Sequence, residues 1–447
     1  MNDQQHPLHP LASEEVTALL EKYERLIPAE NPDAFPEDFS LSPLDWAMSE
    51  EEIGTGTIEA IVKGSKQRIR PIRTMDVEFL PNSTVEKARK GEIDLVQNYP
   101  CGLKCPGCFS QEDVYGDRAN LMTWQEVMKV IDDAKRIGLR SVKFLGPGEL
   151  LQNPDLFDIL GALDERGIPI SIFTKGAELG DDTLARQIYG AQGIRSAKQL
   201  TEQLAKYEGV RLLLGFNSFS SERQDWMVGS LRKPGDYIIR DGTFESRGVS
   251  NYTAKRDNAL VNIVNAGFNK GEQRLSLIAA PVFYHQRDEM PGMYLWAARR
   301  NIPLIIAPTM ESGPKAQGLQ RANEKLDPEH EKLVDLMTQV YGVALDKGIT
   351  TMDRIREEGV SAYMGTAPCS QVANGLFMRL NGQIQLCPGR SDPSAVYGNV
   401  HDTPLADTWV ESPNYAMGSL SNNWCAAKTQ GMPKRVQEEV LKRLEQR

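Results

Sequence analysis

The sequence predicts an α/β fold, a parallel sheet with helices outside it, and two observations predict it. From about residue 93, strand-like and helix-like segments alternate through six βα units, and repeated βα units build a parallel sheet. The 447 residues are 40% hydrophobic and 25% charged, a globular composition with length for a large core and more than one domain.

Taken in order, 93–97 is expected as the first strand, leading into a cysteine-rich loop. Residues 123–137 should be a helix, with Thr123 and Glu126 as a capping box and Gly138 as its stop. The second strand, 141–145, ends at Gly146-Pro147-Gly148-Glu149. Residues 156–166 are helical, punctuated by Gly167 and Pro169. The third strand, 170–173, runs into Thr174-Lys175-Gly176. Helices fill 182–207, and 210–214 is the fourth strand. After an irregular stretch come a helix at 256–266, a strand at 275–282, a helix at 289–300 and a sixth strand at 303–306. Before the first unit, 11–26 reads as a helix after a disordered start, and 28–43, rich in proline and acid, as a linker or irregular wrap. No winged-helix peptide-recognition module is evident there. Residues 327–347 are helical and lead to a second cysteine region. The expected division is a mostly helical or irregular extension (1–90), a βα core (91–325) and a C-terminal domain (326–447).

Cys101, Cys105 and Cys108 lie in the run Asn98-Tyr-Pro-Cys-Gly-Leu-Lys-Cys-Pro-Gly-Cys-Phe109, a C-x3-C-x2-C triplet. Three thiolates this close suit an iron–sulfur cube, in which each cysteine holds one iron and the fourth iron stays open to a substrate or cofactor. A structural zinc site would show paired C-x2-C or Cys/His ligands, and no histidine lies nearby. The triplet directly follows the expected first strand, on the edge where parallel barrels carry their chemistry. No apolar run follows a basic start, so the expectation is a chain without a signal peptide, in a reducing cytoplasm, with its six cysteines as metal ligands rather than disulfides. Net charge −10 argues against a nucleic-acid partner. The local basic run with Lys63, Lys66, Arg68, Arg70 and Arg73 reads as a solvated strand or loop. The longest apolar stretches, such as 275–283, are too short to cross a membrane.

The triplet resembles the signature of the radical S-adenosylmethionine (radical SAM) enzymes, and the six units resemble that family's partial (β/α)6 TIM-type barrel. The resemblance implies an open iron that chelates the amino and carboxylate groups of SAM. Gly146, Pro147, Gly148 and Glu149 are similar to the family's Gly-Gly-Glu-Pro segment, which binds the SAM amino group; Pro147 and Leu150 depart from it, and an ordinary strand-to-helix turn is the alternative. Thr174, Lys175 and Gly176 resemble its Thr-Asn-Gly, with Lys175 a cation placed to meet the SAM carboxylate. Asn217 and Ser218 fall where the family contacts ribose and carboxylate, followed by Gln224-Asp225-Trp226-Met227-Val228-Gly229, a stretch similar to one common in the family. Ile306 and Pro308 fall where backbone atoms meet adenine. Gly107 stands where many members carry an aromatic residue, and Phe109 is the candidate to take that stacking role.

The other cysteines are Cys369, Cys387 and Cys425. Asn381-Gly382 is a strong hairpin turn, so 375–380 and 383–386 should pair and bring Cys369 and Cys387 within reach of each other. With Gly398-Asn399-Val400, Trp409 and Trp424-Cys425, this region resembles the SPASM/twitch extension, which implies an auxiliary [4Fe-4S] cluster. Lys428 stands where the family supplies another cysteine. His401, Asp402 or the substrate is left as the fourth ligand, and three reduced core cysteines are the alternative.

The family's chemistry is reductive SAM cleavage to a 5′-deoxyadenosyl radical, which takes hydrogen from a substrate C–H. It implies a flavodoxin- or ferredoxin-type electron donor. The architecture most resembles enzymes that oxidise a small hydroxylated, sugar- or aminocyclitol-like molecule. Alternatives are a maturase of ribosomal peptides or proteins, and an iron–sulfur carrier or scaffold. The insertion at 231–251, with Arg232, Tyr237, Arg240 and Glu245, is expected to line the substrate or to be a surface loop. Tyr284, Arg287 and Glu311 are candidates facing the site, with no general base assignable.

Overall fold

The computed structural model describes residues 11–36, 39, 56–95, 101, 103, 105–109, 117–146, 148–229, 238–240, 243–245, 251–280, 288–308, 312–366, 371–390, 393–417 and 432–447. Its strands are β1 (Ile58–Val62), β2 (Ser65–Ile69), β3 (Thr74–Val77), β4 (Ser141–Phe144), β5 (Ile170–Thr174), β6 (Val210–Gly215), β7 (Ile238–Arg240), β8 (Thr243–Glu245), β9 (Leu275–Ala279), β10 (Leu304–Ile306), β11 (Gly375–Met378), β12 (Gln383–Gln385) and β13 (Val396–Asn399). Among the described residues the central sheet runs β10-β9-β6-β5-β4-β3-β11-β12-β13. From β10 to β11 every pairing is parallel; β12 and β13 add on antiparallel. Helices connect the parallel strands, which gives the partial-barrel α/β architecture that the sequence predicts.

The strand that opens the parallel row corrects the sequence reading. It is β3, not residues 93–97: Ile93, Asp94 and Leu95 form no strand, and Val96 and Gln97 lie outside the described residues. Ile93 and Leu95 instead pack on Leu80, Val85, Ala88 and Leu121. The sequence hid β3 because it follows the basic run and carries Asp76, which is fully buried beside the charge of Lys143. Of the basic run, Lys63 lies in the turn of the β1–β2 hairpin and Lys66 and Arg68 on β2, apart from the central sheet. Arg70 departs from the solvated reading: it is half-buried, with its guanidinium on Ala373 O, Asn414 O and Tyr415 O.

The other units fall close to their predicted places. The helix Trp124–Arg136 begins at a capping box in which Thr123 N donates to Glu126 Oε2 (2.7 Å). The helices predicted over 182–207 are Asp182–Tyr189 and Ala197–Ala205, each with its own cap, Asp181 and Ser196. The hairpin of β11 and β12 turns at Gly382, whose positive φ (78°) suits the Asn-Gly step. It continues the barrel sheet through β3, so the C-terminal region is built onto the barrel wall.

The two faces of the parallel strands differ. Met75, Val77, Val142, Phe144, Ile170, Ile172, Leu212 and Leu214 pack with helix residues in the main core. The alternate positions form the inner face. There Phe173, Leu213, Ile278, Ile305, Ala307 and Tyr363 make an apolar cluster. The N-terminal helix Ser13–Leu26 docks outside the barrel through Tyr23, which stacks on Phe219 (4.2 Å between ring centroids).

Candidate functional site

Among the described residues Cys101, Cys105 and Cys108 form no disulfide, and each is partly accessible. The Cys108 amide donates to the Cys105 carbonyl (3.2 Å), which curls the loop. Cys101 and Cys105 pack with Leu103 against Ala177, Val228 and Tyr252, residues that follow β5 and β6. The triplet therefore lies by the C-terminal ends of parallel strands, although residues 93–95, the described part of its predicted lead-in strand, are not strand. A Cβ on Gly107 would meet Leu319 Cδ1 at 2.8 Å, so an aromatic side chain at 107 has no room without a shift of Leu319. The aromatic comes one residue after the third cysteine instead: Phe109 stacks on Phe173 of the inner face (6.3 Å, 20° between planes).

The turn after β4 depends on glycine. Gly146 (φ 133°) and Gly148 (φ 82°) adopt backbone that other residues rarely take, and Pro147 lies outside the described residues. The turn presents Glu149, whose Oε2 accepts from Lys175 N (2.8 Å) and Oε1 from Leu151 N (3.2 Å). Glu149 thus ties the turn after β4 to the turn after β5. Burial raises its pKa, and the nearby charge of Glu178 raises it further. Glu178 is wholly buried and accepts from Gln152 Nε2 (2.6 Å). Two adjacent buried carboxylates form a site that favours a cation.

After β5, Thr174 Oγ1 accepts from Gly176 N (2.8 Å), and Gly176 holds a positive φ (70°) with Leu214 Cδ1 where a side chain would go. Lys175 Nζ lies 4.9 Å over the Phe173 ring. Gly215 makes room for it, since a Cβ there would sit 2.7 Å from that Nζ. Tyr252 OH donates to Lys175 O (2.8 Å) and fixes the turn from behind.

The segment after β6 is held from several sides. Gln224 Oε1 accepts from Asn217 N (2.7 Å) and Ser218 N (3.1 Å), and Asn217 Oδ1 accepts from Ala280 N (3.1 Å). Ser218 Oγ donates to the buried Glu289 (2.5 Å) and accepts from Ser220 N (3.0 Å), so its hydroxyl is already occupied inside the fold. Arg256, also buried, reaches Ser218 O (2.8 Å) and Gln224 Oε1 (3.0 Å) and lies 3.8 Å over Phe216. It meets Tyr23 OH and Asp257, which joins the N-terminal helix to this segment. At the end of β10 the Ile306 carbonyl accepts from Met364 N (2.8 Å), its side chain is in the main core, and Pro308 is buried nearby.

The structure brings Phe109, Glu149, Thr174 and Lys175 together around the cysteine loop, and sets Asn217, Ser218, Ile306 and Pro308 on later strand ends. Of the C-terminal cysteines, Cys387 is buried just past β12, while Cys369 and Cys425 lie outside the described residues. So do Arg232, Tyr237, Tyr284, Arg287, Glu311 and Lys428. Arg240 and Glu245 lie on the β7–β8 ribbon, their side chains undescribed. His401 and Asp402 follow β13; His401 Nε2 lies 3.4 Å from Asn120 O. Sequence reasoning missed Tyr252, Glu178 and Arg256, each of which acts through an element distant in the chain.

The donor set of the triplet fits a [4Fe-4S] cluster, which asks each of three closely spaced cysteines for one iron. Burial drives the Cys101 thiol far up, and the neighbouring Cys105 charge adds to this, a repulsion that bound iron would offset.

Residues 99–238 match the family model of the Radical SAM superfamily. No curated protein matches the chain. Among solved structures, anSMEcpe with bound AdoMet and the Cp18Cys peptide is 12% identical with a TM-score of 0.51, and the match covers 84% of this chain and 99% of that one. SuiB of Streptococcus suis bound to precursor peptide SuiA is 17% identical, with a TM-score of 0.41 over 78% of this chain and 67% of that chain. Residues 99–238 thus carry a radical SAM domain, and the cofactors of that family are a [4Fe-4S] cluster and SAM.

Proposed function

We propose that this radical SAM enzyme takes a hydrogen atom from a C–H bond of a peptide or protein segment. The supporting observation is the fold shared along almost the whole of anSMEcpe, whose structure holds AdoMet and a peptide. Cys101, Cys105 and Cys108 would hold a [4Fe-4S] cluster, which when bound and reduced would supply the electron for reductive cleavage of SAM.

The chain's own residues do the rest. Glu149, backed by Glu178, takes the SAM ammonium. Lys175 meets its carboxylate from above Phe173. Asn217 faces the ribose, and the backbone at Ile306 and Pro308 faces adenine. Ser218 acts by bracing this segment through Glu289. Phe109 and the apolar inner cluster keep water from the reacting centre. Cys387, with Cys369 and Cys425, holds an auxiliary [4Fe-4S] cluster whose fourth ligand comes from His401, Asp402 or the substrate. A flavodoxin- or ferredoxin-type protein supplies the electrons. Among the described residues no helix is long and apolar enough to cross a membrane.

The second reading, dehydrogenation of a small hydroxylated, aminocyclitol-like molecule, draws on the polar residues of the inner face at β3, β4 and β12. One experiment separates the two. Host extract is added to the reduced holoenzyme and 5′-deoxyadenosine is followed. Stimulation abolished by protease treatment supports the peptide reading; stimulation that survives protease in the small-molecule fraction replaces it with the second.

A further inference from the structure

Strand register places five residues in one row on the inner face. Ser171 pairs with Lys143, Lys143 with Asp76, Asp76 with Phe377, and Phe377 with Gln385. Paired residues share a sheet face, so β5, β4, β3, β11 and β12 each contribute one side chain at this level. The row belongs partly to the barrel and partly to the C-terminal hairpin. Phe173, which carries the Phe109 stack, is two residues along β5 from Ser171, and Cys387 is two residues beyond Gln385. The row therefore lies between the cysteine triplet and Cys387.

Two atoms in it lack what buried polar atoms normally have. Asp76 Oδ1 and Gln385 Oε1 are buried, and among the described residues no donor reaches either one. The residues are about 1% exposed. The Gln385 amide is oriented by its Nε2, which donates to Gln383 Oε1 (2.9 Å), so the oxygen left over is not an arbitrary flip. Thr74 Oγ1, two residues back on β3, is unmet as well. All three can accept a hydrogen bond. A buried acceptor without a donor costs stability, and a fold that keeps several on one wall gains by their use in binding.

We propose that Asp76, Phe377 and Gln385 form a substrate subsite for a protonated primary amine. The ammonium has three donors to offer. It meets the Asp76 carboxylate on one side and the Gln385 carbonyl on the other, with the Phe377 ring between them as a cation–π surface. Adjacent strands are about 4.8 Å apart, so the two acceptors stand on strands about 10 Å apart with Phe377 on the strand between them. Lys143 stands on β4, on the other flank of Asp76 from Phe377 in this row, and its charge also acts on the Asp76 carboxyl. The amine can come from a lysine-like side chain of a peptide or from an amino-substituted ring. The assignment rests on the radical SAM reading and specifies the substrate class for that same inner face.

The test uses anaerobic, SAM-saturated holoenzyme and four probes. Nα-acetyl-lysine N-methylamide is paired with its norleucine counterpart, and cyclohexylamine with cyclohexanol. Binding is read by saturation-transfer NMR and by the thermal midpoint. Either amine should bind at millimolar concentration while its neutral partner does not; the lysine probe binding better points to a peptide source, and cyclohexylamine to an amino ring. Asp76→Asn should weaken amine binding at least tenfold without lowering the midpoint of the free protein, and Gln385→Leu should weaken it as well. Amines that stay silent, or bind both variants as they bind wild type, overturn the subsite. SAM cleavage is measured in the same samples after chemical reduction: cleavage retained with silent amines removes the subsite alone, and cleavage absent together with a cluster EPR signal that SAM leaves unchanged removes the enzyme class.

Discussion

Burial pushes the Asp76 carboxyl up to about 7, with the nearby Lys143 acting against that rise. A carboxyl with a raised folded pKa stabilises the fold at low pH, and this contribution is lost as pH climbs from the ordinary carboxylate range towards 7. Asp76→Asn removes the titration. Its unfolding free energy should match wild type near pH 4 and exceed it above pH 7, by about a few kcal/mol at most; a variant less stable than wild type at pH 8 would show that the carboxylate is a structural partner. Glu149→Gln bears on the SAM pocket. It should weaken SAM binding by about ten- to a hundredfold, the worth of a charged hydrogen bond, with the iron content unchanged; unaltered affinity by equilibrium dialysis would remove Glu149 from the site. At this scale the sequence carried the cysteine triplet, Glu149 and Thr174 because local spacing encodes them. Tyr252, Arg256 and Gln385 were illegible because each matters through residues on other strands and helices. Ser218 was visible as a position, but its bond to Glu289 was not.

At the scale of elements, the N-terminal helix is bound to the barrel by a buried polar contact. Tyr23 OH donates to Asp257 (2.8 Å), meets Arg256, and its ring packs among Phe216, Phe219 and Trp296. Tyr23→Phe should cost about 1–3 kcal/mol by leaving charged partners short of a hydrogen bond, and Tyr23→Ala about 3–5 kcal/mol. Chemical denaturation measures both, and equal losses would mean that the hydroxyl contributes nothing. A second contact is steric. The short helix Ala177–Gly180 crosses the helix Tyr252–Asn265 at Gly180, where a Cβ would lie 1.7 Å from Lys255 O. Gly180→Ala must push the two helices apart, destabilise the fold by at least about 1–3 kcal/mol, and loosen the Lys175 turn that Tyr252 holds. A variant as stable as wild type would contradict that packing. Strong periodicity and caps made the helices and β4, β5 and β6 readable in advance. β3 was not, because an arginine-rich approach and a buried aspartate make it look like a surface segment.

For the whole molecule, one sheet unites the barrel with the C-terminal hairpin through β3 and β11. That continuity places Cys387 and the inner-face row on the same wall as the elements around the first cysteine loop. The units from β4 to β10 were legible because each is local, whereas the first was not, its strand being β3. The joining of β11 to β3 was not, since that pairing closes a loop of nearly three hundred residues. The central claim is that this assembly cleaves SAM at a cluster held by Cys101, Cys105 and Cys108. The most direct measurement reconstitutes the protein anaerobically with iron and sulfide, reduces it, adds SAM and looks for 5′-deoxyadenosine, with a variant carrying alanine at the three cysteines beside it. The account predicts product from wild type and none from the variant, with iron retained in the variant by the C-terminal cysteines. No product from wild type, together with a cluster EPR signal that SAM leaves unchanged, would contradict it.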